Sequence, residues 1–187
     1  MIEIKILSIE EIKEKINYLY KYLPKEYLDR SSKFKFEECK LLDLGSSYFK
    51  YKYIKEDIYY NEFGKPLCNN LYFNISHSHN YVIFAKNNKK IGIDIELIKD
   101  KLKEELINYT MNEEEKINIK NNADFIKYWT KKESIIKCEG KTIANIKNAL
   151  MNNKYNIYTI RYLNYYISLA YDGDKEKIIL SKELIKI

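Results

Sequence analysis

The segment Ile91-Gly92-Ile93-Asp94-Ile95-Glu96 alternates between isoleucine and other residues. In an extended strand this puts three isoleucines on one face and Gly92, Asp94 and Glu96 on the other, with the two carboxylates pointing the same way roughly 7 Å apart. Like charges that close repel and raise a pKa unless a cation relieves them, and a hard divalent ion with oxygen ligands does so. Gly92 adds bare backbone beside them. The same pattern also describes a half-buried strand whose acidic edge faces solvent.

Further on, Trp129, Glu133 and Lys137 recur at every fourth residue of Trp129-Thr130-Lys131-Lys132-Glu133-Ser134-Ile135-Ile136-Lys137, so a helix gives them one face. An acid and a base one turn apart serve either as a reactive pair or as an ordinary ion pair contributing about 0.3 to 0.5 kcal/mol. Trp129, the chain's single tryptophan, heads the same stripe and fits equally well as a core anchor. A third group is Asn61-Glu62-Phe63-Gly64-Lys65-Pro66 followed by Phe73-Asn74-Ile75-Ser76-His77-Ser78. A lysine on a Pro-stiffened turn, with Ser and His at a strand end, offers hydrogen-bond donors suited to phosphate. A histidine in a Ser/Asn-rich turn also serves as a purely structural hydrogen-bonder.

Strands and helices must bring these groups together. Ile2, Ile4 and Ile6 alternate with Glu3 and Lys5 as a strand, and Ile9 to Leu23 carries helical spacing up to Pro24. A second helix is expected from about Phe36 to Tyr53. Leu71–Ile75, Tyr81–Lys86 and Ile91–Glu96 read as strands, the last two joined as a hairpin across Asn87-Asn88-Lys89-Lys90. Asn112 with Glu115 forms a capping-box pattern, and a helix over about Asp124 to Glu139 ends at Gly140. Tyr155–Arg161, Tyr165–Tyr171 and Lys177–Leu180 read as strands, with an Asp172-Gly173-Asp174 turn before the last. Tyr81-Val82-Ile83-Phe84-Ala85, a turn, then Ile91-Gly92-Ile93 is echoed by Tyr166-Ile167-Ser168-Leu169-Ala170, a turn, then Ile178-Ile179. The expected fold is therefore α+β, with two similar helix-plus-antiparallel-sheet halves related by a pseudo-twofold, residues 1–96 and 97–187, and the site at their interface.

Composition narrows the class. Ile 29, Lys 31, Asn 19 and Tyr 19 make 98 of 187 residues, while Val occurs once and Arg twice. Such a bias follows AT-rich codon usage, so the net charge of +6 speaks only weakly for a polyanionic partner. With Lys interleaved with Glu and no Arg cluster, no nucleic-acid partner is expected. No run approaches the roughly 18 to 20 apolar residues of a membrane span, and Met1 leads into Glu3 and Lys5 rather than a leader pattern, so neither a membrane partner nor a secretory signal is expected. Cys39, Cys68 and Cys138 are odd in number and widely spaced, which argues against a disulfide framework or a zinc site and for a reducing cytoplasm.

In order, the GKP turn, FNISHS, GIDIE and WTKKESIIK resemble the 4'-phosphopantetheinyl transferases of the larger, pseudo-dimeric Sfp type. The resemblance is close over about Asn61 to Lys141. It implies the pseudo-twofold fold of that family and transfer of 4'-phosphopantetheine from coenzyme A to a serine of an apo acyl or peptidyl carrier protein, leaving adenosine 3',5'-bisphosphate. By motif position it implies Asp94, Glu96 and Glu133 as ligands of Mg2+ (or Mn2+), Glu133 also as base, and Lys137 on the pyrophosphate. It further implies Lys65 as a phosphate or adenine-side contact, Phe63 and Gly64 beside the adenine, and Ser76 and His77 near the 3'-phosphate. A cytoplasmic monomer is expected.

The N-terminal stretch departs from the family. Where a basic residue followed by Ser/Thr-Leu-Leu-Gly is common, this chain has Lys40-Leu41-Leu42-Asp43-Leu44-Gly45, leaving Lys40, Lys33 and Arg30 as candidate anion contacts. The family's carrier-binding segment corresponds to Leu97–Glu114, with Tyr109-Thr110-Met111 in place of its Phe-rich run. The same residue set also suits a metal-dependent nucleotide phosphohydrolase, or a non-catalytic paralogue that binds coenzyme A or a carrier.

Overall fold

The computed structural model describes residues 1–101, 104–151 and 153–186; Leu102, Lys103, Asn152 and Ile187 lie outside the described residues. The strands are β1 (Ile2–Ser8), β2 (Tyr59–Tyr60), β3 (Pro66–Leu67), β4 (Tyr72–Ser78), β5 (Tyr81–Asn87), β6 (Ile91–Leu97), β7 (Asn156–Tyr162), β8 (Tyr165–Tyr171) and β9 (Ile178–Lys182). The helices are α1 (Ile9–Glu14), α2 (Ile16–Tyr22), α3 (Lys25–Ser32), α4 (Glu37–Tyr53), α5 (Glu104–Thr110), α6 (Glu113–Asn118) and α7 (Asn122–Glu139), with a 3-10 turn at Ile143–Asn148. The strands form sheets of order β4-β5-β1-β9 and β6-β8-β7, plus the short β2-β3 ladder. The fold is α+β, as expected.

The isoleucine alternation explains how the sheets meet. Ile2, Ile4 and Ile6 of β1 and Ile91, Ile93 and Ile95 of β6 enter one buried cluster with Ile83, Ala85, Ile167 and Leu169. Each sheet turns its other face to a helix. Leu41, Leu44 and Phe49 of α4 pack with Leu7, Val82 and Phe84, and Ile135 and Cys138 of α7 pack with Ala170. Four layers result: helix, sheet, sheet, helix.

The halves repeat at the level of register. β1 runs antiparallel to β5 with Ile4 opposite Ala85, and β6 runs antiparallel to β8 with Ile93 opposite Leu169. The β4-β5 and β7-β8 turns each have two residues, and their first residues, His79 and Leu163, have φ of 46° and 52°. Ile9 N–H donates to the Asn80 carbonyl at 2.9 Å, as Ile98 N–H donates to the Asn164 carbonyl at 2.9 Å. β9 breaks the repeat by adding parallel to the outer edge of β1.

Several local expectations need correction. Asn87–Lys90 does not close a hairpin: β5 is already paired on both edges, with β4 and β1, so β6 crosses over and pairs with β8. β6 therefore belongs with the second sheet. The helix expected over Ile9–Leu23 bends at Lys15 into α1 and α2 while the i to i−4 bonds run through, Lys15 N–H to Glu11 O at 3.1 Å and Leu19 N–H to Lys15 O at 3.0 Å. β4 continues to Ser78, so Ser76 and His77 lie within a strand rather than in a turn.

The Asn112 capping box is formed in both directions, and Gly140 ends α7 at φ 72°. A Cβ on Gly92 would collide with the backbone of Ser134 and Cys138, so the helix lies directly on the strand there. Gly92→Ala is expected to cost at least about 1 to 3 kcal/mol, the usual range for overpacking, because backbone cannot move aside as a side chain can. Urea denaturation checks this; an unchanged midpoint would mean that the helix–strand distance is adjustable.

Candidate active site

The close approach at Gly92 brings the next two residues on the same face of β6 under α7. Asp94 is 2% exposed, and its Oδ1 accepts from Lys137 Nζ at 2.6 Å and from Ser76 Oγ at 3.0 Å. Its Oδ2 is buried without a hydrogen-bond partner. Lys137 Nζ also donates to Ser76 Oγ at 3.1 Å and lies 3.8 Å from Glu133 Oε2. Glu96, half-buried, accepts from Ser78 Oγ at 3.1 Å. Asp94, Glu96, Glu133, Lys137 and Ser76 thus converge, and Asp94 does not lie on a solvent-facing edge.

β4 supplies an unusual seam to this cluster. β6 has a strand partner on one edge only; on the other, Ile93 N–H donates to Asn74 Oδ1 at 2.8 Å and Leu97 N–H to Ser78 Oγ at 3.3 Å. Buried backbone donors must be paired, and here side chains do what a neighbouring strand would. Asn74, Ser76 and Ser78 alternate along β4, so all three face β6. Asn74 and Ser78 join the site beyond the expected residues, and the period-two polar pattern in FNISHS carries their signal. His77 falls on the opposite face of β4 and is exposed.

The Phe63-Gly64-Lys65 turn docks on the end of α7. Asn61 Nδ2 donates to the Gly140 carbonyl at 2.9 Å, and Lys65 Nζ donates to the carbonyls of Lys137, Cys138 (3.3 Å) and Ile91 (3.4 Å). A cation on the last carbonyls of a helix satisfies groups that lack intrahelical partners. Lys65 thereby ties the start of β6 to the end of α7, while Phe63 and Gly64 remain exposed beside that junction. Of the N-terminal basic residues, Arg30 pairs with buried Asp43 at 3.0 Å, Lys33 is exposed, and Lys40 lies over the Tyr20 ring. Trp129 packs in a cluster with Met111, Phe125 and Ile126.

The electrostatics follow from burying three carboxylates with one ammonium. Burial pushes Asp94 above the ordinary carboxylate range against the pull of Lys137 and Ser76, and burial followed by the charge of Asp94 does the same to Glu96. Burial drives Glu133 up to about 7, with Lys137 opposing and Asp94 and Glu96 adding to it. Burial pulls the Lys137 ammonium down, but Asp94, Glu133 and Glu96 outweigh it and hold it above its ordinary value.

Among the described residues no three His, Cys, Asp or Glu side chains are gathered into a ready ion cage, because the Lys137 ammonium stands between Asp94 and Glu133. The donor set nevertheless fits a hard divalent cation: three carboxylates, one with an unpartnered buried oxygen. No helix among the described residues is long and apolar enough to cross a membrane.

Residues 90–177 match the family described as the 4'-phosphopantetheinyl transferase superfamily. The chain is 35% identical over 109 residues to 4'-phosphopantetheinyl transferase gsp of Aneurinibacillus migulanus, covering 54% of this chain and 46% of that protein. It is 36% identical over 105 residues to 4'-phosphopantetheinyl transferase Sfp of Bacillus subtilis, covering 51% and 47%. The chain spans about half the length of the curated relatives it matches.

A carboxyl whose pKa is raised in the folded protein stabilises below its ordinary value and loses that contribution as pH rises through the folded one. In ion-free protein the share due to Glu133 is therefore present below its ordinary 4.5 and lost as pH passes about 7. Glu133→Gln should flatten, without abolishing, the fall in melting temperature across this window, since Asp94 and Glu96 contribute with the same sign. An unaltered slope in thermal melts would show that Glu133 does not titrate there.

Proposed function

We propose, from the match of residues 90–177 to the 4'-phosphopantetheinyl transferase superfamily, that this chain transfers 4'-phosphopantetheine from coenzyme A to a serine of an apo acyl or peptidyl carrier protein. The observation that carries the reading is the convergence of Asp94, Glu96, Glu133 and Lys137 around a buried carboxylate oxygen that lacks a partner.

Phosphoryl transfer asks a protein mostly for positioning and charge neutralisation. Asp94, Glu96 and Glu133 would hold Mg2+ or Mn2+, which when bound supplies charge neutralisation for the pyrophosphate. Glu133 takes the proton of the carrier serine as its oxygen attacks the pantetheine-bearing phosphorus. The bond from that phosphorus to the bridging oxygen breaks, and adenosine 3',5'-bisphosphate leaves. Lys137 turns from Asp94 to the pyrophosphate and offsets the charge of the leaving group, while Ser76 orients both Asp94 and Lys137.

His77, exposed on the far face of β4, is the candidate contact for the 3'-phosphate. Phe63 and Gly64 border the adenine side, and Lys65 contributes by fixing their turn to α7. The three cysteines are free, which supports a reducing, cytoplasmic setting, and we read the chain as a monomer.

The decisive experiment incubates the protein with coenzyme A, Mg2+ and an apo carrier domain and weighs the carrier intact. Gain of one phosphopantetheine group supports transfer; consumption of coenzyme A without gain means a phosphohydrolase, and neither means a binding protein. Glu133→Gln should keep Mg2+-dependent coenzyme A binding within about tenfold, about 1.4 kcal/mol, yet lose at least about a hundredfold in rate, the low end for a positioned base. Full rescue of the variant by excess Mg2+ would refute the base role.

A further inference from the structure

Lys132, beside Glu133 but on the other side of α7, has no part in the chemistry above, and its side chain is completely buried. A buried ammonium is costly unless fully bonded. Lys132 Nζ donates to the Thr110 carbonyl at 2.7 Å, to the Lys147 carbonyl at 2.7 Å and to Glu115 Oε2. Glu115 Oε2 in turn accepts from Asn112 N–H at 2.9 Å, the return bond of the capping box that starts α6. One ammonium therefore joins the end of α5, the start of α6 and the 3-10 turn to the helical turn that carries Glu133.

The position of this node along α7 matters. The C-terminal end of the helix, beyond Lys137, meets the 61–65 turn through Asn61 and Lys65. Its N-terminal half meets the α5-α6 segment, where Met111 packs with Phe125, Ile126 and Trp129. Attacking and leaving oxygens lie roughly in line on opposite sides of the phosphorus. With the leaving nucleotide toward the turn, the incoming hydroxyl comes from the side walled by α5 and α6.

We propose that Lys132 is a positioning residue for the acceptor: its ammonium fixes the α5-α6 wall against the turn bearing Glu133, and so sets how the carrier serine meets the base. The inference rests on the transfer reading above. Tyr109 of α5 and Ile117 of α6, 63% and 69% exposed, are the most exposed apolar side chains of this wall, with Leu106 of α5 beside them at 38%.

The test compares wild type, Lys132→Met, Lys132→Arg and Glu115→Gln. Glu115→Gln keeps an acceptor for Asn112 N–H and both carbonyl bonds of Lys132, so it serves if Lys132→Met does not fold. In Lys132→Met, or Glu115→Gln in its place, KM for the apo carrier should rise at least about tenfold while KM for coenzyme A stays within about threefold. Amide exchange should accelerate over residues 104–118 and not over β6, and Lys132→Arg should restore part of both losses. Carrier and coenzyme A constants moving together, or unchanged exchange over 104–118, overturns the proposal. Should wild type transfer nothing, the transfer reading fails on its own, and the exchange measurement still decides whether Lys132 holds the wall.

Discussion

The site depends on one close approach, α7 lying on β6 at Gly92 with no room for a methyl group. Because that contact is backbone on backbone, it fixes the height of the helix above the strand. Asp94 and Glu96, two and four residues along the same face, then come under the helical face bearing Glu133 and Lys137. Lys65 reinforces the junction from the side, bonded at once to the Ile91 carbonyl and to the last carbonyls of α7. Rigid elements thus hold the carboxylates, as the proposed transfer needs.

Burial at that junction makes charge the second constraint. Asp94 tolerates its position through Lys137 and Ser76, yet one of its oxygens stays unpartnered and the cluster holds three carboxylates to one ammonium. Burial, with the charges of Asp94 and Glu96 adding to it, lifts Glu133 to about 7, and the imbalance leaves a donor set that favours a divalent cation.

The other half shows what the same backbone does with different residues. By register, Lys5 of β1 stands where Asp94 stands in β6, and the edge of β1 that corresponds to the seam with β4 is occupied by β9. Just beyond β9, Glu183 is buried and accepts from Lys52 at 2.6 Å and from the hydroxyls of Tyr48 and Tyr53 at 3.1 and 2.9 Å, with Lys5 at 3.6 Å. That centre is satisfied and covered. A repeated backbone therefore carries one open acidic notch and one closed ion-pair hub.

The sequence by itself determined the parts whose cause is local. Alternation in IEIKI and IGIDIE defined both central strands, Asn112 with Glu115 and the αL glycine at 140 marked helix ends, and the four-residue recurrence of Trp129, Glu133 and Lys137 put them on one helical face. Only the tertiary structure decided which edges pair, because hydrogen-bonding a strand depends on whether its neighbour's edge is free. β5 was taken on both sides, so β6 went to the other sheet, and its bare edge was met by Asn74 and Ser78. The separation of Ser76 from His77, the burial of Asp94 and the clamp of Lys132 on α5 and α6 are likewise long-range. Each depends on which element packs on a given face, and spacing along the chain does not encode that.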